Sequence, residues 1–342
     1  MIDKWRRHGF GRGVGRAKAS LNGRDLLDRL GKASILALAG GRRLAAALAE
    51  RARQAPAAAL LTALSLLLGL VAPIVVALLL VVDVGLSGPR RVGDVIARFE
   101  RLDYDLRAVT APGSPVPRIF LKRLPQDWRR LAEAEPRKRA FIMILLPLVL
   151  LENGRVLRDR SRLLEIKARR TGGQPVASRD RAWLERLALA YGLESVDLKE
   201  LTGRVDAVPA SLAIAQAAIE SGWGTSRFAV QGNALFGQWA DEGRRTMVPS
   251  QREAERRHAI RRFKTLGHSV RAYLRNLNTH RAYRAFRLHR AKLRAGNLPL
   301  DGVALTQELI SYSQQGPAYV RALHRLIVKN DLAALDGARL QP

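Results

Sequence analysis

Cysteine is absent from all 342 residues, which excludes a disulfide scaffold, a thiol nucleophile and any Cys-ligated zinc or iron–sulfur site. It leaves the compartment open, because oxidising and reducing compartments both contain Cys-free proteins. Histidine is scarce, with six scattered residues and no HExxH-type pair, which argues against a zinc hydrolase. Nothing else in the sequence indicates a metal or an organic cofactor. Acidic residues are also few, 30 against 59 Lys and Arg, giving a formal charge of +29. Such an excess points to an anionic partner: nucleic acid, lipid head groups or an acidic polymer. The chain does not lack apolar residues. At 47% they are enough to bury a core in one large domain or two ordinary ones, which excludes wholesale disorder.

Charge is missing altogether from residues 54–82, a run of mostly Ala, Leu and Val. As a helix it extends about 43 Å at about 1.5 Å per residue, enough for a hydrocarbon core of about 30 Å. Gly69 and Pro73 lie inside it, and membrane helices tolerate both better than soluble helices do. The stretch is too long and too far from Met1 for an ordinary cleaved signal peptide, and reads as a signal anchor. Residues 1–53 carry 13 Lys and Arg against four acids, so the N-terminus is expected in the cytoplasm. The remainder is then expected outside the bacterial inner membrane, in the periplasm or cell-wall space. This outer part is itself basic, so the asymmetry is one of density beside the span.

The expected organisation has four parts: a basic cytoplasmic tail (1–53), a transmembrane anchor (54–82), a helical stalk (83–178) and a catalytic domain (179–342). A second apolar run, AFIMILLPLVLL at 140–151, is too short to span a bilayer and reads as a buried helix bent near Pro147. Gly, Pro and Ser cluster as loop signals at 110–117 and 171–178. Apolar spacings of three and four predict helices over 179–191, 209–221, 266–277, 281–294, 303–312 and 317–329. Residues 232–260 lack that period and read as loops with a small hairpin. The predicted class is α+β, mainly α.

The stretch SLAIAQAAIESGWGTSRFAVQGNALFGQW, 211–239, carries the most chemistry. Pro209 opens a helix, Leu212, Ala215 and Ile219 form its buried stripe, and Gly222 is a suitable left-handed stop. Glu220 is thus placed in the last turn, where the helix dipole opposes ionisation. A raised pKa is what a general acid needs to hold its proton near neutral pH. Gln216, one turn earlier on the same side, either hydrogen-bonds it or, as is more common for such a residue, faces a neighbouring helix. Arginine crowds 244–262, where Glu253 and Glu255 are the only acids, and guanidinium neighbours would lower their pKa as suits a general base.

These words resemble the glucosaminidase domain of glycoside hydrolase family 73. The resemblance rests on AQAAIESGWGTSRFA and GNALFGQW, with SVRAYLRNLNTHRAY and ISYSQQGPAYV pointing to its Bax-type branch. It implies a lysozyme-like helical domain with a small loop or β lobe, and cleavage of the β-1,4 bond after N-acetylglucosamine in peptidoglycan. It implies Glu220 as the acid that protonates the glycosidic oxygen. Asn233, Phe236 and Trp239, with Gln216 and Trp223, are then expected on the sugar side. Tyr312 and Tyr319 match the family's paired tyrosines, one of which borders the acid. Two departures stand out: Ala234 replaces the second Asn of the usual GNNLFG, and Ala259 occupies a position commonly held by Glu. Two other readings keep the cleft: a cell-wall-binding scaffold without activity, and a lytic transglycosylase. A specific nucleic-acid partner is not expected, since the basic residues form no recognisable binding motif. The expected partners are glycan strands and anionic membrane lipids.

Overall fold

The computed structural model describes residues 91–109, 115–131, 133–241, 246–247 and 258–342, preceded by Ser65 and Gly69. The tail and, but for those two positions, the expected anchor lie outside the described residues. The chain divides into Met1–Val82 and Asp83–Pro342, and all that follows concerns the second unit.

Eleven α-helices and three short strands are described: α1 Val92–Arg101, α2 Leu106–Val109, α3 Ala134–Thr171, α4 Ser178–Ala190, α5 Leu198–Arg204, α6 Ala210–Ser221, α7 Arg227–Gly232, β1 Trp239–Asp241, β2 Thr246–Met247, β3 His258–Arg261, α8 Leu266–Thr279, α9 Arg284–Ala295, α10 Gly302–Leu305 and α11 Pro317–Lys329. Mainly helical with one small sheet, this is the predicted class. The helix expected over 303–312 is α10 followed by a 3-10 stretch, Thr306–Tyr312, and that over 281–294 starts as the 3-10 turn Arg281–Tyr283.

The segment expected as a stalk is part of the main core. Val92, Val95 and Phe99 of α1 recur at helical spacing, and they share one core with Phe141, Ile144 and Leu145 of α3 and Leu212 and Ile214 of α6. No boundary falls at residue 178. The whole helix α3, in contrast to the twelve-residue run alone, is long and apolar enough to cross a membrane, yet 67% of its most apolar window is buried inside the protein. It is covered by α6 and α8 instead of lipid. Pro147 lies within the helix, which is 38 residues long in all and runs on to Thr171. Past it the polar half of α3 nucleates a second, smaller core, where Leu163 and Ile166 meet Leu184 and Leu187 of α4 and Leu201 of α5.

Helix α6 lies at the centre, packed against α3, α10, α11 and the 3-10 turn Leu332–Leu335. Ten of its twelve residues are buried. Five of those are alanines, whose small side chains let neighbouring helices approach closely. Its first turn is capped from far along the chain: the Asp336 carboxylate accepts from the Ser211 N–H at 2.8 Å and the Ser211 hydroxyl at 2.7 Å. Asp336 also accepts from the Gly302 N–H at 3.0 Å, tying α10 to the same point.

The small lobe is a three-stranded antiparallel sheet in the order β1-β3-β2. Trp239 pairs with Ile260, Ala240 with Ala259, and Met247 with Ile260. A strand between two others replaces the expected simple hairpin. A parallel bridge between Val116 and Leu340 closes the unit on the other side.

Candidate active site

Three left-handed residues in succession end α6: Gly222 (φ 57°), Trp223 (φ 57°) and Gly224 (φ 79°). The predicted stop at Gly222 is present, and its own N–H reaches back to the carbonyls of the last turn. Gly224 is required by packing as well. A Cβ there would lie 2.8 Å from Leu124 and from Trp128 and 3.1 Å from Phe141. The Trp128 indole N–H donates to the Trp223 carbonyl at 2.9 Å, which fixes the corner. The corner holds Glu220 in the last helical turn, half-buried.

Four aromatic side chains gather round that carboxyl. The Tyr319 hydroxyl of α11 donates to Glu220 Oε1 at 2.9 Å. Tyr312 stacks on Tyr319, with ring centres 5.6 Å apart and planes within 7°, and its hydroxyl donates to the Phe236 carbonyl at 3.2 Å. Tyr283 lies next in the row, 5.9 Å from Tyr312. Tyr273 of α8 stacks face to face on Phe236 at 4.0 Å. Gln216 stands between the two sides: its Nε2 donates to the Tyr319 oxygen at 2.9 Å, and its Oε1 accepts from the Tyr273 hydroxyl at 2.6 Å.

Burial of Glu220 raises its pKa above the ordinary carboxylate value, and the hydrogen bond from Tyr319 partly opposes that rise. Desolvation is therefore the leading cause of the direction expected from the helix end. The other carboxyl oxygen, Oε2, faces Gly237. That residue has φ 59°, and a Cβ on it would lie 3.2 Å from Oε2. Glycine thus keeps a side chain from pressing on this oxygen.

Several residues expected to face sugar do not. Gln216 is fully buried and does not touch Glu220; it holds the two tyrosines instead. Phe236, 2% exposed, is a core residue whose ring supports Tyr273. Asn233 is buried at the left-handed end of α7 (φ 52°), and its amide donates to the Phe263 carbonyl at 2.9 Å, pinning the GNALFG turn. Trp223 is half-buried with its ring edge-on to Phe141. Trp239, in contrast, is 63% exposed on β1, so its indole is accessible to a ligand. Tyr319 is the tyrosine that borders the acid, with Tyr312 its stacked support. Glu253 and Glu255 lie outside the described residues. Ala259 is fully buried in β3, so its strand position is part of the packed lobe. Tyr273 and Tyr283 carried no periodic or motif signal of their own beyond lying in the SVRAY and THRAY words.

Among the described residues, no group of three or more His, Asp or Glu is arranged to hold a metal ion.

Comparison with known proteins supplies the context for this geometry. Residues 198–332 match the family described as "Glucosaminidase: Mannosyl-glycoprotein endo-beta-N-acetylglucosaminidase". Protein bax of Escherichia coli (strain K12) is 32% identical over 210 residues, covering 60% of this chain and 73% of that protein. No solved structure matches significantly.

Proposed function

Because this chain belongs to the glucosaminidase family, in its Bax-type branch, we propose that it is a membrane-anchored peptidoglycan hydrolase that cuts the β-1,4 bond after N-acetylglucosamine. The family supports a glycosidase type and a glycan substrate of the peptidoglycan kind. The single observation that carries the mechanism is a desolvated Glu220 carboxyl, one oxygen held by Tyr319 and the other beside Gly237, which has no side chain to press on it.

In this reading Glu220 is the general acid. Departure of the sugar oxygen as an alkoxide is slow unless a proton arrives while the bond breaks, and a carboxyl kept protonated by burial delivers it. The exposed Trp239 indole offers a flat apolar face to a pyranose ring near the lobe. The opposite face of the scissile sugar needs either a base that activates water or the substrate's own acetamido oxygen as nucleophile. The acids at 253 and 255 are the candidates for the first route. The anchor at 54–82 keeps the domain at the outer face of the membrane. The excess of Arg and Lys outside the anchor attracts anionic lipid head groups and the carboxylates of the wall polymer.

The binding-scaffold reading is favoured only by the losses at Ala234 and Ala259, and one experiment separates it. Purified peptidoglycan is incubated with the parent and with Glu220→Gln, and the fragments are read by mass spectrometry. Reducing-end N-acetylglucosamine from the parent, with a loss of at least about 10²-fold in Glu220→Gln, is expected. Fragments ending in anhydro sugar would identify a lytic transglycosylase. An inactive parent that still pulls down glycan would establish the scaffold.

A further inference from the structure

We infer that Tyr273 and Gln216, two fully buried residues out of reach of any sugar, determine which oxygen of Glu220 carries the proton. The inference rests on Glu220 being the acid of the proposed reaction. Four side chains from three helices form one chain of hydrogen bonds: Tyr273 to Gln216 at 2.6 Å, Gln216 to Tyr319 at 2.9 Å, and Tyr319 to Glu220 Oε1 at 2.9 Å.

The direction of that chain follows from donor counting. A phenol has one proton to give and an amide has distinct donor and acceptor ends. The Tyr273 hydroxyl is buried, and Gln216 Oε1 is the acceptor it meets. Turning the amide round would leave that buried O–H facing N–H groups, so Tyr273 fixes Oε1 on its own side. Gln216 Nε2 is then directed at Tyr319, whose oxygen is occupied as an acceptor. The Tyr319 proton has one place left to go, Glu220 Oε1. It stays there whether Glu220 is ionised or protonated, so the acid proton resides on Oε2, the oxygen beside Gly237. Tyr273 and Gln216 are thus positioning residues that orient a proton they never exchange.

The titratable groups that face Glu220 from the packed elements are phenols: Tyr319 from α11, Tyr273 from α8, Tyr312 from the 3-10 stretch Thr306–Tyr312 and Tyr283 from the turn Arg281–Tyr283. Burial pushes all four upward, so they keep their protons while Glu220 titrates.

The test uses Tyr273→Phe and Gln216→Leu in the full chain, in detergent. Tyr273→Phe keeps the ring stacked on Phe236 and lets the amide reverse; Gln216→Leu removes the amide. Each frees Tyr319 to accept a proton from Oε1, an arrangement open only to protonated Glu220. Titration of the Glu220 carboxyl, followed by ¹³C NMR with its resonance identified by its loss in Glu220→Gln, is expected to move to higher pH. The basic limb of the rate profile should move with it. Turnover should fall about tenfold or more at nearly unchanged KM, because part of the acid then carries its proton on the wrong oxygen. An unchanged titration and parent-like turnover in either variant, with native circular dichroism, would overturn the inference. A raised NMR titration with an unmoved rate profile would support the relay and sink Glu220 as the acid. Using two variants keeps the test open if one of them fails to fold.

Discussion

Replacing Gly237 by Ala perturbs the candidate site at one methyl group, and its two effects separate cleanly. The backbone at Gly237 has φ 59°, and an alanine held in that left-handed region costs about 1–2 kcal/mol. The added Cβ would lie 3.2 Å from Glu220 Oε2, the end of a flexible side chain that moves by a few tenths of an ångström to make room. That second contact adds little to the stability loss. For the roughly 260 residues of Asp83–Pro342, 1 kcal/mol corresponds to about 2–4 °C, so Tm should fall by about 2–8 °C. Activity should fall much further. A displaced and partly covered Oε2 no longer meets the glycosidic oxygen at the right distance, and misplacement on this scale lowers turnover by about 10- to 100-fold. Calorimetry gives the first number, and release of reducing ends from purified peptidoglycan, well below Tm, gives the second. A lowered Tm with parent turnover would show that Oε2 does not touch the reacting bond. An unchanged Tm would show that the backbone is not left-handed there.

Replacing Glu253 or Glu255 by Gln should lower turnover by about 10²-fold or more if that residue activates water; parent rates in both singles and the double would place the base elsewhere or leave attack to the substrate's acetamido group. Alkaline phosphatase fused after residue 90 should be active in cells, and a silent fusion would overturn the proposed orientation of the anchor. Asp206 makes a further case. It is buried against Arg294, at 2.9 and 3.1 Å, and beside Arg160 and Arg290. Burial alone would raise its pKa, but the hydrogen bonds from Arg294 and the charges of Arg290 and Arg160 outweigh it and hold the carboxyl below the ordinary value. A carboxyl depressed in the fold contributes stability that is present above the unfolded value of about 3.9 and is lost as pH falls through the folded value. The parent should therefore lose stability in acid below about pH 4. Asp206→Asn should flatten that limb and cost about 3–5 kcal/mol at neutral pH, because Arg290 would be left buried without its partner. Chemical denaturation at several pH values would reveal both, and an unchanged acid limb would contradict the assignment.

What was legible in the sequence was local. Pro209 and Gly222 bracket α6 to within one residue, and the position of Glu220 in its final turn follows from that bracketing alone. The helices at 179–191, 266–277 and 317–329 were legible for the same reason, a 3.6-residue apolar period. The role of Gln216 was not. Its partners lie 57 and 103 residues away, and nothing in its own turn distinguishes an amide aimed at a carboxylate from one buried between two phenols. Asp336 capping Ser211 across 125 residues escapes sequence reading in the same way. The apolar run at 140–151 gave the right element and the wrong setting: complete burial of a helix looks alike whether the neighbours are stalk partners or the core of the catalytic unit. The helix α5 was missed because seven residues with Lys, Glu, Thr, Gly and Arg among them show almost no period. Its N-cap, Asp197, which accepts from the N–H groups of Lys199 and Glu200, was the available signal.

The hydrogen bond between Glu220 and Tyr319 joins residues 99 apart in the chain, and that separation sets a clock during synthesis. At about 5–20 residues per second, the ribosome takes roughly 5–20 s to pass from the glutamate to the tyrosine. Throughout that interval α6 has neither α11 against its flank nor Asp336 at its first turn, and its alanine-rich surface has nothing to close on. Until those contacts form, the Glu220 carboxyl is solvated and ionised, with no proton to give up. The candidate acid is thereby assembled only once the last long helix has packed.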